Sequence, residues 1–237
     1  MRKTKGELIY NGVDLTPFFI VTNIEEVLVG DIDNRSRQIP GRNGEIFKTS
    51  QLGSKIVDVT VRIVEYDPIQ SMNIKDEINR VLITKEPQKL ELPTEPTKYQ
   101  LAKLNGKIDF ERLFSGAEIV LSFKNFLGIS FSKTLSTGTT NNGNTSTPFA
   151  LEGNISGDLV TILNRDTLDK IAIDATEYTD GTPLRYESEW EHLFINNNLD
   201  MKNLYVNSDN FWLSPGQNNI EVTGLTSYTF KNRARWL

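Results

Sequence analysis

The sequence predicts a mainly β protein in two parts. A β-rich domain with one α-helix packed on a sheet spans 1–133, and a small β-sandwich spans 134–237. Three observations predict this: one strongly alternating segment, one amphipathic helical segment, and an abrupt change of composition near residue 134. At 237 residues with 38% hydrophobic side chains, the chain has enough apolar surface for a core in each part and too much for a disordered polymer.

Asn11-Gly12 between short apolar stretches marks an early turn. Further on, Gln38 to Phe47 carries Pro40, Gly41, Arg42, Asn43 and Gly44 between apolar flanks, the signature of a hairpin or bulged turn. Gly41 and Gly44 permit positive φ, and Arg42 would project from the tip. The clearest strand is Lys55 to Ile63, where Val57, Val59, Val61 and Ile63 face one side while Asp58, Thr60 and Arg62 face the other. From Ser71 to Thr84, Ile74, Ile78, Val81 and Leu82 form a single helical stripe, which Pro87 prevents from extending. Short strands follow at Lys89–Leu92, Lys98–Leu104, Phe110–Phe114 and Glu118–Phe123.

The tract Thr134 to Pro148 is built from Ser, Thr, Asn and Gly and reads as a linker or long surface connection. Beyond it come short strands at Phe149–Leu151, Leu159–Leu163, Lys170–Ile173, Leu204–Val206, Ile220–Val222 and Tyr228–Trp236, a sandwich pattern. In Phe211-Trp212-Leu213, alternation buries the outer two and leaves Trp212 as a possible exposed aromatic. The terminal alternation of Tyr228, Phe230, Asn232, Ala234 and Trp236 is expected to end as a strand anchored by Trp236.

Composition excludes several chemistries. With no cysteine there is no disulfide scaffold, cysteine metal site or thiol nucleophile, and one histidine, His192, leaves no multi-histidine metal site. The P-loop and dinucleotide fingerprints are absent, and Asp31-Ile32-Asp33-Asn34 lacks the later residues of a calcium loop. The 31 carboxylates do not single out a glycosidase pair. No catalytic residue, metal or cofactor is expected. Residues 1–133 hold 19 basic against 18 acidic side chains, whereas 134–237 hold 7 against 13, giving +1 and −6. Neither half has the clustered basic excess of a nucleic-acid binder. Asp174, Glu177, Asp180, Glu187, Glu189 and Glu191 form an acidic patch read as a solvated face. No window approaches the run of about 18 apolar residues of a membrane span, and no apolar segment follows the charged start.

Taken together, Asn11–Leu15, Ile39–Gly44, Phe211–Ile220 and the closing Asn232–Leu237 resemble the distal tail protein family of long-tailed phages that infect Gram-positive bacteria. The order of the motifs, the helix after the alternating strand and the total length agree with that likeness. The resemblance implies an N-terminal domain forming a homo-hexameric ring at the distal end of the virion tail and a C-terminal galectin-like β-sandwich. It implies tail tube, tail-associated and receptor-binding proteins as partners, synthesis in the host cytoplasm, and Pro40, Gly41, Arg42, Asn43 and Gly44 as assembly-interface candidates. The alternatives are a carbohydrate-binding module on a β-domain and, more weakly, a glycoside hydrolase.

Overall fold

The computed structural model describes residues 7–27, 30, 32–38, 43–63, 71–109 and 116–237, with helix side chains described from Ile74 onward. The mainly β expectation is met. The chain forms two compact units, residues 1–131 with Leu237, and residues 132–236.

The first unit contains β1 (Ile9–Tyr10), β2 (Val13–Asp14), β3 (Phe19–Glu26), β4 (Ile32–Gln38), β5 (Glu45–Leu52), β6 (Lys55–Ile63), α1 (Ser71–Leu82), β7 (Gln88–Glu91), β8 (Lys98–Leu104) and most of β9 (Ile119–Ser132). One sheet runs β2-β1-β7-β8-β9-β6-β3, with β6 antiparallel to both β9 and β3. β1 and β2 are joined by Asn11 and Gly12, both at positive φ, the backbone that a tight hairpin with native strand twist requires. β6 alternates as expected: Val57, Val59, Val61 and Ile63 are buried and join Ile78, Val81 and Leu82 of α1 in one core. The helix covers that face because its apolar side chains recur on one stripe, and its second turn onward supplies them. Phe110–Phe114, expected as a strand, lies outside the described residues.

The second unit holds β10 (Ser136–Thr137), β11 (Thr140–Asn141), β12 (Phe149–Ile155), β13 (Leu159–Asn164), β14 (Lys170–Asp174), β15 (Pro183–Glu187), β16 (His192–Ile195), β17 (Asn198–Leu199), β18 (Gly216–Gln217), β19 (Ile220–Thr223), β20 (Leu225–Asn232) and β21 (Arg235–Trp236). A six-stranded sheet, β10-β20-β12-β15-β16-β17, and a three-stranded sheet, β14-β13-β19, contribute to one apolar core. Leu151, Tyr186, Leu193 and Phe230 come from the first sheet, and Val160, Ile162, Ile171 and Ile173 from the second. This is the arrangement of a β-sandwich, in which alternate side chains of both sheets meet in one core.

Three sequence expectations change here. Residues 134–148 are not a linker: β10 pairs with β20 and β11 with β18, and Asn141 and Thr147 are buried. The Asn141 amide donates to the carbonyls of Thr145 and Leu213, so polar side chains replace the apolar burial that the composition lacks. Leu204–Val206 is no strand; Leu204 makes a single bridge to Ile173 and Val206 is fully exposed. The C-terminal segment ends as a strand, as expected, but it is interrupted at residues 233–234 between β20 and β21, and a bulge in β20 shifts its early alternation. Ser227 takes positive φ, Tyr228 turns outward, and burial resumes at Phe230, Asn232 and Ala234, leaving Trp236 half-buried.

Val59 is wholly buried while Thr60 lies half-buried on the opposite face. Val59→Asp should therefore cost about 3 kcal/mol or more, because it leaves a carboxylate in the core without a partner. Thr60→Asp should cost clearly less. Urea melts of the two variants check this, and equal midpoints would refute the facing assignment.

Candidate assembly interface

β4 and β5 form a two-stranded antiparallel ribbon of their own, registered from Ile32 opposite Leu52 to Gln38 opposite Glu45 with a slip between Arg35 and Ser36. Both faces are open: every described residue of the ribbon is exposed except the half-buried Leu52. An isolated pair of strands is at best marginally stable in water, so such a ribbon has reason to gain its apolar cover from another surface. Phe47 is 64% exposed, and Ile32 and Ile46 are exposed as well. The Arg35–Asp33 pair on the same ribbon is solvent-facing and contributes little.

The root of the ribbon is tightly held. A Cβ on Gly30, just before β4, would stand 2.7 Å from the Gly53 carbonyl oxygen, and one on Gly128 would stand 2.5 Å from the same oxygen. Gly128 also has φ +67°, so two independent constraints exclude a side chain there. Its amide and that of Leu127 donate to Asn125 Oδ1, which fixes the bend in β9. Asn125 Nδ2 in turn donates to Gln100 Oε1 and to the Ile129 carbonyl, and Gln100 Nε2 donates to Glu26 Oε1. Glu26 Oε1 lies 2.8 Å from Lys55 Nζ, on a lysine that is almost fully buried. The inward alternation of β6 thus extends one residue pair further than its valines, ending on a charge that needs Glu26.

Of the assembly residues expected from the sequence, Pro40, Gly41 and Arg42 lie outside the described residues. Asn43 and Gly44 are exposed just before β5, and Gly44 takes φ +87° with open space where a Cβ would be. Sequence reading missed Ile32, Ile46 and Phe47 as surface residues. The available signal was β4 itself, Ile-Asp-Asn-Arg-Ser-Arg-Gln, which contains one apolar residue and cannot line a core.

Trp212 is exposed, as expected from the alternation, and it carries polar partners. Its indole N–H donates to the Ser188 carbonyl at 3.3 Å, and the Arg235 guanidinium lies over the ring at 5.1 Å while pairing with Glu189. Three of the six carboxylates in the acidic patch are paired with cations. Glu177 pairs with Lys202, Glu187 with Arg185 and Glu189 with Arg235, and hydrogen bonds from the Thr176 backbone and hydroxyl hold the Asp174 carboxyl below its ordinary pKa. Among the described residues no group of carboxylates and histidine is arranged to hold a metal ion. His192 packs edge-on to Phe194 at 6.0 Å on the outer face of β16.

Residues 13–125 match the family described as the phage tail protein RIFT-related domain. The crystal structure of the Dit protein of phage SPP1, titled a paradigm of the hub adsorption apparatus in phages infecting Gram-positive bacteria, superposes with a TM-score of 0.81 at 17% identity. It covers 98% of this chain and 99% of that one. Structures of the phage P2 baseplate in its activated conformation match at 0.54 with strontium (9% identity, 96% and 97% covered) and 0.50 with calcium (10%, 91% and 92%). No curated protein matches the sequence. The fold expected from the resemblance to distal tail proteins is the fold observed.

The Lys55–Glu26 pair makes an asymmetric prediction. Glu26→Ala strands a buried ammonium and should cost about 3 kcal/mol, whereas Lys55→Ala leaves a more accessible carboxylate that keeps its Gln100 donor and should cost less. Chemical denaturation of the two single variants decides the order.

Proposed function

We propose that this chain, which carries a phage tail protein domain over residues 13–125 and shares its fold with a tail hub, is a structural, non-enzymatic component of the tail tip. In this reading its first unit closes a homo-hexameric ring at the distal end of the virion tail. The ring joins the tail tube to the tail-associated protein and carries receptor-binding proteins, after synthesis in the host cytoplasm. The second unit is the galectin-like sandwich.

The observation that carries this reading is the β4–β5 ribbon. Its apolar residues Ile32, Ile46 and Phe47 are exposed, while glycine close approach and the Asn125 network hold its root. A rigidly rooted arm with unsatisfied apolar surface is suited to docking on a neighbouring copy, because the ordering entropy of the root is already spent within the fold. Pro40, Gly41, Arg42, Asn43 and Gly44 belong to the proposed contact. Charge permits it: residues 1–133 sum to +1, so several copies in a ring repel one another little, whereas residues 134–237 at −6 favour separation.

Native mass spectrometry and negative-stain microscopy of the protein with its tail partners should show a six-fold ring. Ile46→Asp with Phe47→Asp should abolish the ring while leaving the thermal midpoint of the monomer nearly unchanged, because both side chains are exposed. A ring that survives this double substitution would remove the ribbon from the interface. Persistent monomers alongside bound partners would refute the ring itself.

A further inference from the structure

The outer face of the six-stranded sheet carries a depression of about 540 Å³ that the ring reading does not use. Strand register lays out its floor. Thr229 lies opposite Glu152, Glu152 opposite Arg185, and Arg185 opposite Phe194, so one row of side chains crosses β20, β12, β15 and β16. The neighbouring row begins with Lys231, and Asn154 extends the floor beyond Glu152. All six lie on the face opposite the core, because their strand neighbours Leu151, Leu184, Tyr186, Leu193 and Phe230 point inward.

A β-bulge shapes the depression. Between the pairs Glu152–Thr229 and Asn154–Thr226, β20 carries one residue more than β12, with Ser227 at φ +52° opposite Gly153. A Cβ on Gly153 would come within 2.9 Å of Tyr228 Cβ, so the bulge needs glycine there. Bulges of this kind re-aim side chains beside binding sites.

The electrostatics select the ligand class. Lys231 Nζ is 2.5 Å from Glu152, and Arg185 pairs with Glu187 at 3.3 Å, so the two cations are cancelled by two carboxylates. An anion would gain little at such a floor, and so would a cation. Hydroxyl groups, which donate and accept at once, match a row that alternates Thr229 hydroxyl, carboxylate and guanidinium. The Arg185 guanidinium lies over the Phe194 ring, 4.4 Å from its centroid, forming a flat plate against which an apolar C–H face can pack. We propose that this face is a binding site for a neutral saccharide, with Thr229, Glu152 and Arg185 taking hydroxyls and the Arg185–Phe194 stack taking the ring face. The proposal concerns the second unit alone and stands whether or not the first unit forms a ring.

The test titrates the full-length ¹⁵N-labelled protein with galactose, maltotriose and the N-acetylglucosamine disaccharide, and separately with inorganic phosphate. At least one of the three sugars should shift amides of β12, β15, β16 and β20, and phosphate should not. Arg185→Ala and, as a milder variant, Thr229→Val should each weaken that sugar's binding about tenfold, with a retained β-sheet spectrum. Thr161→Val, on the opposite sheet, should leave it unchanged. Saturable shifts by phosphate alone, shifts on other strands, no response to any sugar, or unaltered affinity in both Arg185→Ala and Thr229→Val would overturn the proposal.

Discussion

A buried lysine sets the constraint on which the first unit depends. Lys55 sits at the inward position where the alternation of β6 would place another valine, and an ammonium in that position is tolerable only with a fixed counter-charge. Glu26 at the end of β3 supplies it, and Gln100 on β8 and Asn125 on β9 complete the chain of hydrogen bonds. Four strands are thereby locked at one end of the sheet by groups that pair only in one register. A shift of any strand by one residue would leave a buried charge or amide unpaired, a larger loss than the slip of one apolar contact. The same Asn125 then holds the bend at Gly128, which makes room for Gly53 and thus for the root of the ribbon. The arm proposed to assemble is held at its base by this polar network at one end of an otherwise apolar core.

The second unit solves a different problem. Its sequence is rich in asparagine and threonine and carries few long apolar runs, yet it closes a core of two sheets. Asparagine side chains stand in for secondary structure where strands are short. Asn218 donates to the Thr139, Ser214 and Gly216 carbonyls and accepts from the Ser214 amide, tying the Pro215-Gly216 turn to the segment that precedes β11. Asn232 bonds the Gly138 and Thr140 carbonyls in the same way. Each of these buried amides donates to more than one backbone carbonyl, which is how irregular chain can lie inside a sandwich, although Asn232 Oδ1 itself is buried without a partner.

These two solutions suit the proposed division of labour. Near-neutral residues 1–133 with an exposed apolar ribbon favour contact with copies of themselves, and residues 134–237 at −6 with a polar, charge-compensated outer sheet favour standing in solvent. A sheet face whose charges are paired within itself is also a poor site for ion-driven aggregation and a suitable one for uncharged ligands.

The sequence by itself determined the periodic elements: β6, α1, the Asn11-Gly12 hairpin, the β-rich class and the break in composition near residue 134. Each of these is a local consequence of side-chain spacing or turn chemistry, so a window of ten residues contains the whole cause. The hairpin around Gly44 was legible for the same reason. That both faces of that hairpin are bare was not, since exposure depends on whether another element covers it, and Phe47 looks alike in a core strand and on an arm. Lys55 read as the polar start of a strand because its partners Glu26, Gln100 and Asn125 are distant in sequence. Residues 134–148 read as a linker because their order comes from pairing with β18 and β20, far downstream. The exposure of Trp212 was legible, but the guanidinium over its ring was not, because Arg235 is brought there only by the fold. Tertiary structure decided every property that rests on a long-range partner, because a group's burial and pairing belong to the two surfaces that meet and not to either segment alone.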